Sequence, residues 1–143
     1  MGVDGTNMLV IIGPSATLDI IENNGIILSA EELNHDSNLM YLAENYFGDN
    51  CTIERTPKML KDNGKRTSNC LKINFNYRNV EPDDYLMLLL QKYKDCWIKN
   101  EYINEIGSCG IWIGEYVNNE IKTQIVEWYE SISNQMNGCP FDD

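Results

Sequence analysis

A strict alternation of apolar and polar residues over Leu71–Arg78 is the feature that most limits how this chain can fold. The odd positions of this segment are Leu, Ile, Phe and Tyr, and the even positions are Lys, Asn, Asn and Arg. Successive side chains of a strand point to opposite faces of the sheet. The pattern therefore predicts a strand with one buried face and one face in water.

Two other segments predict a buried strand and a helix around this one. Met8–Ile12 is a short apolar run that ends at a Gly-Pro pair, as buried strands do. Pro82, followed by Asp83 and Asp84, predicts the start of a helix with a wide apolar stripe. Proline suits the first turn of a helix, and acidic side chains suit its positive end.

Apolar spacing predicts further helical segments before residue 50 and after residue 120. The first follows Ser15, and a second begins at Ser29, where Glu32 completes a capping box. After residue 120, the spacing of Ile121, Ile125 and Trp128 favours a helix over a strand. The sequence thus predicts a C-terminal helix.

The remaining segments predict a hairpin and a long loop. Trp97–Ile106 and Gly110–Val117 are expected to pair as strands, and Asn118-Asn119 is typical of a tight turn. Residues 54–69 are polar and contain a proline and a glycine, which predicts a loop or a loosely ordered arm.

The order of these elements predicts one α+β domain over residues 1–143. The expected fold is a ferredoxin-like split β-α-β sandwich with a helical insertion at about 24–69 and a C-terminal helix. Residues 137–143 are expected to form a flexible tail. A chain of 143 residues is long enough for one hydrophobic core.

Charge is distributed unevenly along the chain. The net charge is −11, and residues 1–50 contain no lysine or arginine. Such a balance argues against direct nucleic-acid binding, which needs cations to replace the counterions of the phosphates. It suits a protein that binds a basic surface. A small basic cluster from Arg55 to Arg66 is an alternative contact for an acidic partner.

The cysteines and the N-terminus predict a cytoplasmic protein inside a host cell. The five cysteines form no C-x-x-C pair, and an odd number without a secretion signal favours free thiols in a reducing compartment. The apolar run at Met8–Ile12 is too short for a signal peptide or a membrane span. No membrane association is therefore expected.

Three motifs resemble one family of phage and plasmid proteins. They are Asn7-Met-Leu-Val-Ile-Ile-Gly-Pro14, the strand at Leu71–Tyr77 with the helix start at Glu81-Pro82, and Tyr102–Tyr116 with its Gly-containing acidic turn. Together they resemble the YubB-like ferredoxin-fold domain. The resemblance implies a ferredoxin-like fold and a viral or mobile-element source. It implies no catalytic residue, because the family has no assigned activity.

The sequence offers little to catalysis. His35 is the only histidine, and it lies near Glu31, Glu32 and Asp36. A carboxylate–histidine metal site is conceivable there, but a closed site needs more ligands. No nucleophile motif and no phosphate-binding loop is present. We therefore expect no enzyme activity, no metal and no cofactor.

The preferred functional prediction is a phage- or virus-encoded accessory protein that binds and inhibits a host protein. The host protein would be a nucleic-acid-handling defence enzyme, with acidic side chains taking the place of phosphates. The predicted contact residues combine charge with aromatic rings: Glu101, Glu105, Trp112, Glu115, Tyr116 and Glu120. Acids beside exposed aromatic rings are typical of protein-binding surfaces.

Two alternatives stay open from the sequence. One is a small-ligand binder that sequesters a nucleotide signal through Arg55, Lys72 and Arg78, including across a homodimer. The other is a metal-dependent hydrolase built on the acids around His35.

Overall fold

A computed structural model describes residues 4–47, 51–59, 66–78, 82–104 and 107–129. Six strands and three helices are found in these ranges. In chain order they are β1 Asp4–Gly13, α1 Ser15–Asn24, α2 Ser37–Tyr46, β2 Cys51–Met59, β3 Arg66–Arg78, α3 Asp83–Lys92, β4 Trp97–Asn104, β5 Ser108–Val117 and β6 Glu120–Tyr129.

All six strands form one antiparallel sheet in the order β2-β3-β1-β4-β5-β6. The central strand β1 pairs with β3 on one side and β4 on the other, so Leu9 is opposite both Ile73 and Asn100. The connection from β3 to β4 contains α3, whereas β4, β5 and β6 follow one another as hairpins.

The three helices pack against one face of the sheet. Leu9 and Ile11 of β1 and Trp112 of β5 point to this face, and all three are nearly inaccessible to solvent. Leu18 of α1 and Leu89 of α3 belong to the same apolar cluster. Burying these side chains removes apolar surface from water, which is the main force that holds the helices on the sheet.

Tyr85 connects α3 to the segment between α1 and α2. Its buried hydroxyl donates a hydrogen bond of 2.7 Å to the carbonyl oxygen of Ile26. The hydroxyl oxygen of Tyr85 in turn accepts a 2.8 Å hydrogen bond from the backbone N–H of Leu28. Burial is the main reason that the pKa of Tyr85 is raised, so the hydroxyl stays protonated and able to donate.

The predicted capping box forms at Ser29 and Glu32, but it starts a turn and not the helix. Their side chains and backbone N–H groups bond reciprocally, at 2.9 and 3.1 Å. Asn34 and His35 then adopt positive φ angles of 55° and 54°, which no α-helix accommodates. The helix α2 begins only at Ser37, after Asp36 caps it through the N–H of Leu39.

The predicted ferredoxin-like split β-α-β sandwich, with a helical insertion and a C-terminal helix, is wrong. The structure is dominated by a six-stranded antiparallel sheet with three helices. The sheet is larger than predicted because the segment read as a C-terminal helix is the strand β6. The strand β2 and the first residues of β3 lie where a loop was expected over residues 54–69.

The prediction of a tight turn at Asn118-Asn119 is confirmed. The two residues have φ angles of 52° and 66° and join β5 to β6. Two successive positive φ angles are typical of the two-residue turns that connect antiparallel strands. The expected tail at 137–143 lies outside the described residues. No helix in the described ranges is long and apolar enough to cross a membrane.

Candidate functional site on the open face of the sheet

The sheet face opposite the helices is here called the open face, because no described helix covers it. Side chains that alternate with the core positions of β1 and β4 reach this face. Met8 and Ile103 are among them, and they are 41% and 38% exposed. Val126 on β6 is 52% exposed on the same face. Apolar exposure on several neighbouring strands is a mark of a binding surface.

A groove of about 560 Å³ crosses the open face. The register of the sheet shows that its side chains form two rows that run across the strands. The first row is Asn76, Thr6, Ile103, Cys109 and Trp128, and the second is Asn74, Met8, Glu101 and Ile111. The first row spans five strands, from β3 to β6, which corresponds to about 19 Å.

The lining changes in chemistry along the groove. At the β3 end it offers two side-chain amides, Asn74 and Asn76, which donate and accept hydrogen bonds. The middle and the β6 end offer apolar surface from Met8 and Ile111 and the indole ring of Trp128. A mainly apolar groove with a few polar groups that fix orientation is the usual composition of a binding site.

Among the described residues, Glu101 is the one carboxylate that lines the groove, and no lysine or arginine lines it. The Nζ atom of Lys99 lies 2.8 Å from a carboxylate oxygen of Glu101, and both side chains are partly exposed. An ion pair at such a position contributes less than about 1 kcal/mol, because water screens it. A cationic group of a ligand can therefore compete with Lys99 for this carboxylate.

The strands beneath the β6 end of the groove are held together by Tyr102. Its ring lies across Gly110 on the helix side of the sheet, where any larger residue would collide with it. Its hydroxyl donates a short hydrogen bond to the carboxylate of Glu127. One side chain of β4 thus reaches over β5 to β6, and this keeps three strands of the groove in register.

Most acidic side chains of the first 47 residues lie on the helix side of the molecule, where cations from later segments bind some of them. Arg55 on β2 donates hydrogen bonds of 2.8 and 3.0 Å to Asp19 and Glu22 of α1. Lys92 on α3 pairs with Glu32 at 3.0 Å. Arg55 is therefore fixed against α1 and is not part of a mobile basic arm.

The predicted contact residues do not form one surface. Glu101 and Glu115 lie on the open face, as does Glu120, which pairs with Lys122 at 3.2 Å. Trp112, in contrast, is only 2% exposed and belongs to the core, so its assignment to an exposed surface is corrected. Trp112 is opposite the buried Asn100, and opposed residues of antiparallel strands share a face of the sheet. Trp112 therefore faces the helices.

Tyr116 and Glu105 are the other two predicted contact residues. Tyr116 is half-buried on the helix side, where the Nζ atom of Lys94 lies 5.3 Å from the centre of its ring. Glu105 lies outside the described residues.

The residues predicted to surround a nucleotide are not brought together. Arg55 faces α1 on the helix side, whereas Lys72 lies on the open face. Arg78 is opposite Asp4 at the end of β3.

The proposed metal site near His35 gains no support from the structure. His35 lies exposed in the turn before α2. Within the described ranges, no group of three or more His, Cys, Asp or Glu side chains is placed to hold a metal ion. Among the cysteines, burial raises the pKa of Cys96 to about 12, so its thiol stays protonated and unreactive.

Sequence reasoning missed most of the groove. The sequence places Met8, Asn74 and Ile103 only in their elements and gives them no role in binding. The usable signal was the parity of each strand, because residues two apart share a face. Ile103 and Glu101 are two residues apart and so share a face of β4. Asn100 is buried on the other face, so Ile103 and Glu101 lie on the open face.

No family model, no curated protein and no solved structure matches this chain.

Proposed function

We propose that the protein acts by binding a protein partner through the groove on the open face. The observation that carries this proposal is the groove itself: about 560 Å³, apolar and aromatic toward β6, amide-bearing toward β3, on a face that no described helix covers. Its volume lies within the range of about 300–1,000 Å³ that is typical of ligand-binding pockets.

The chemistry of the groove specifies the segment that it would hold. Met8, Ile111 and Trp128 favour apolar or aromatic side chains. Glu101 favours an arginine or lysine, which can exchange with Lys99 and stack on an indole ring. We therefore propose that the bound segment carries both basic and apolar side chains.

The charge of the whole molecule supports a basic partner. With a net charge of −11, the protein attracts positively charged surfaces over several ångströms and repels nucleic acid. Long-range attraction of this kind raises the rate of association and depends on salt. A host enzyme that handles nucleic acid has a basic surface, so it fits the partner that we propose.

In this proposal the protein inhibits its partner by covering a basic surface that otherwise contacts phosphates. Its origin in a phage or another mobile element belongs to the same proposal and rests on the sequence resemblance. The alternative of nucleotide sequestration has less support, because no lysine or arginine lines the groove among the described residues. Phosphate groups need such cations or a cluster of backbone N–H groups.

Selection of peptides from a random display library on the immobilised protein tests the proposal. We expect enriched peptides to combine arginine or lysine with aromatic or large apolar residues. Their affinity should fall at least tenfold for Met8→Asp, which places a charge in the groove. It should stay within twofold for Ile20→Asp, a matched change on the exposed surface of α1.

Two results would overturn the proposal. One is enrichment of acidic peptides, or of none. The other is equal binding of the selected peptides to the wild-type protein and to the Met8→Asp variant, because the groove could not then be their site. Circular dichroism spectra of both variants confirm that each is folded before affinities are compared.

A further inference from the structure

We propose that a second copy of this chain pairs with β6, so that two sheets join edge to edge. This inference concerns the edge of the sheet and goes beyond the binding function of the groove. A joined sheet would contain twice the six strands of one molecule.

The strand β6 lies at one edge of the sheet. It is ten residues long, and within the described residues no strand pairs with its outer side. Unpaired N–H and C=O groups along such an edge are a template for another strand. The opposite edge, β2, is less suited to pairing because Pro57 has no N–H group to donate.

Exposed apolar side chains on β6 favour association with another apolar strand. Ile125 is 49% exposed on the helix side of the sheet, and its neighbour Val126 is 52% exposed on the open face. Edge strands are usually protected by charged residues or prolines. The only cation in β6 is Lys122, which pairs with Glu120 at the start of the strand.

A second copy is the occupant that this edge fits, because an antiparallel pair of identical strands obeys two-fold symmetry. Opposed residues of antiparallel strands lie on the same face of the sheet, whereas successive residues of one strand lie on opposite faces. The symmetry axis must therefore set one residue opposite its own copy, and not opposite the next residue in the chain. With the axis beside Ile125, the two Ile125 side chains meet on one face. On the other face, Val126 contacts Gln124 of the second copy.

The charges between Lys122 and Trp128 agree with this register. Lys122 is then opposite Trp128 of the second copy, where a cation can lie against the indole ring. Glu127 is opposite Thr123, so no like charges face each other between residues 122 and 128 of the paired strands. Both open faces lie on the same side of the joined sheet, and the groove row that ends at Trp128 continues into the second molecule.

Sedimentation velocity over a concentration series tests the pairing. The wild-type protein should form a dimer, and Ile125→Lys should raise the dissociation constant of the dimer by at least tenfold. Ile20→Lys is the matched control, because Ile20 is equally exposed but lies on α1. A wild-type monomer at all concentrations overturns the inference, as does loss of the dimer in both variants.

Disulfide cross-linking tests the register without relying on a destabilising variant. With the axis beside Ile125, an Ile125→Cys variant places two thiols opposite each other at about 5 Å between Cβ atoms. Mild oxidation should then give a reducible dimer. Thr123→Cys is the control, since its two copies would be about 14 Å apart. Equal cross-linking of both variants, or none with Ile125→Cys, contradicts the proposed pairing.

Discussion

The hydroxyl of Tyr85 makes two buried hydrogen bonds that hold the segment between α1 and α2 on the core. Tyr85→Phe keeps the ring but leaves the N–H of Leu28 and the carbonyl of Ile26 without this partner. We expect a loss of about 1–3 kcal/mol in the free energy of unfolding, because buried polar groups are costly when unsatisfied. Denaturant unfolding measures this loss.

The exposed Tyr41 provides the control for this prediction. Tyr41→Phe should change the free energy of unfolding by less than about 0.5 kcal/mol, as most surface substitutions do. An equal effect of the two substitutions would show that the hydroxyl of Tyr85 has no special role.

Asn7 and Asn100 form a polar pair inside the otherwise apolar core. The side-chain amide of Asn100 donates a 2.9 Å hydrogen bond to Oδ1 of Asn7, and one polar atom of each side chain has no partner. Replacing only Asn100 by leucine should cost about 1–3 kcal/mol, because the amide of Asn7 is then left alone. The double replacement by leucine should be more stable than this single variant.

A double-mutant cycle measures this interaction between Asn7 and Asn100. The free energies of unfolding of the two single variants and the double variant give the coupling energy directly. If the losses in free energy of unfolding of the two single variants add in the double variant, Asn7 and Asn100 do not stabilise each other.

At the scale of elements, Glu32 links the turn before α2 to α3. The pKa of Glu32 is lowered, first by the N–H of Ser29 and then by Lys92. A carboxyl whose pKa is lower in the folded than in the unfolded protein adds stability above its usual pKa range. That contribution is lost as the pH falls through the folded pKa.

Carboxyl titration by NMR tests the order of these two causes. Lys92→Met should raise the pKa of Glu32 only part of the way to its usual value, because the hydrogen bond from Ser29 remains. An unchanged pKa in this variant would show that Lys92 does not contact Glu32 in solution.

Gly110 on β5 leaves room for the ring of Tyr102, which reaches from β4 across β5 to Glu127 on β6. Gly110→Ala would collide with the ring of Tyr102 and break its contact with Glu127. We expect a loss of about 1–3 kcal/mol by thermal or denaturant unfolding, the usual cost of overpacking. Combining it with Tyr102→Ala should recover part of the loss, whereas a lack of recovery would exclude this clash as the cause.

The strand β6 shows why periodicity alone misassigned an element. Ile121 and Ile125 are four residues apart, and a spacing of four places side chains on one face of a strand as well as of a helix. Trp128, three residues after Ile125, distinguishes a helix from a strand, because a spacing of three keeps side chains on one face only in a helix. In the strand it lies on the opposite face, where it lines the groove.

The strand β2 was misread for a different reason. Its residues are polar because it is an edge strand with little surface to bury, and such a strand accepts Pro57. Leu71–Tyr77 and Met8–Ile12 were predicted well because both lie in the middle of the sheet. There, burial imposes a strong pattern on the sequence.

At the scale of the whole molecule, the two faces of the sheet differ in the side chains that they contain. The helix side contains the core and many of the acidic side chains, with cations from β2 and α3 bound to some of them. The open face contains the groove, and among the described residues Glu101 is the carboxylate that lines it. The sequence predicts Glu101 as a contact residue, and that role stays a prediction. It could not predict the groove, because the groove joins residues from five strands whose order only the fold determines.

The most direct test of the account is an NMR map of the peptide-binding site. Amide and indole signals of the labelled protein are followed while a selected basic and aromatic peptide is added. If the groove is the binding site, signals of Met8, Asn74, Glu101 and Ile111 and of the indole of Trp128 should shift first, while the signal of the buried indole of Trp112 should stay in place. Shifts confined to α1 and α2, with the signals of the groove unchanged, would contradict it.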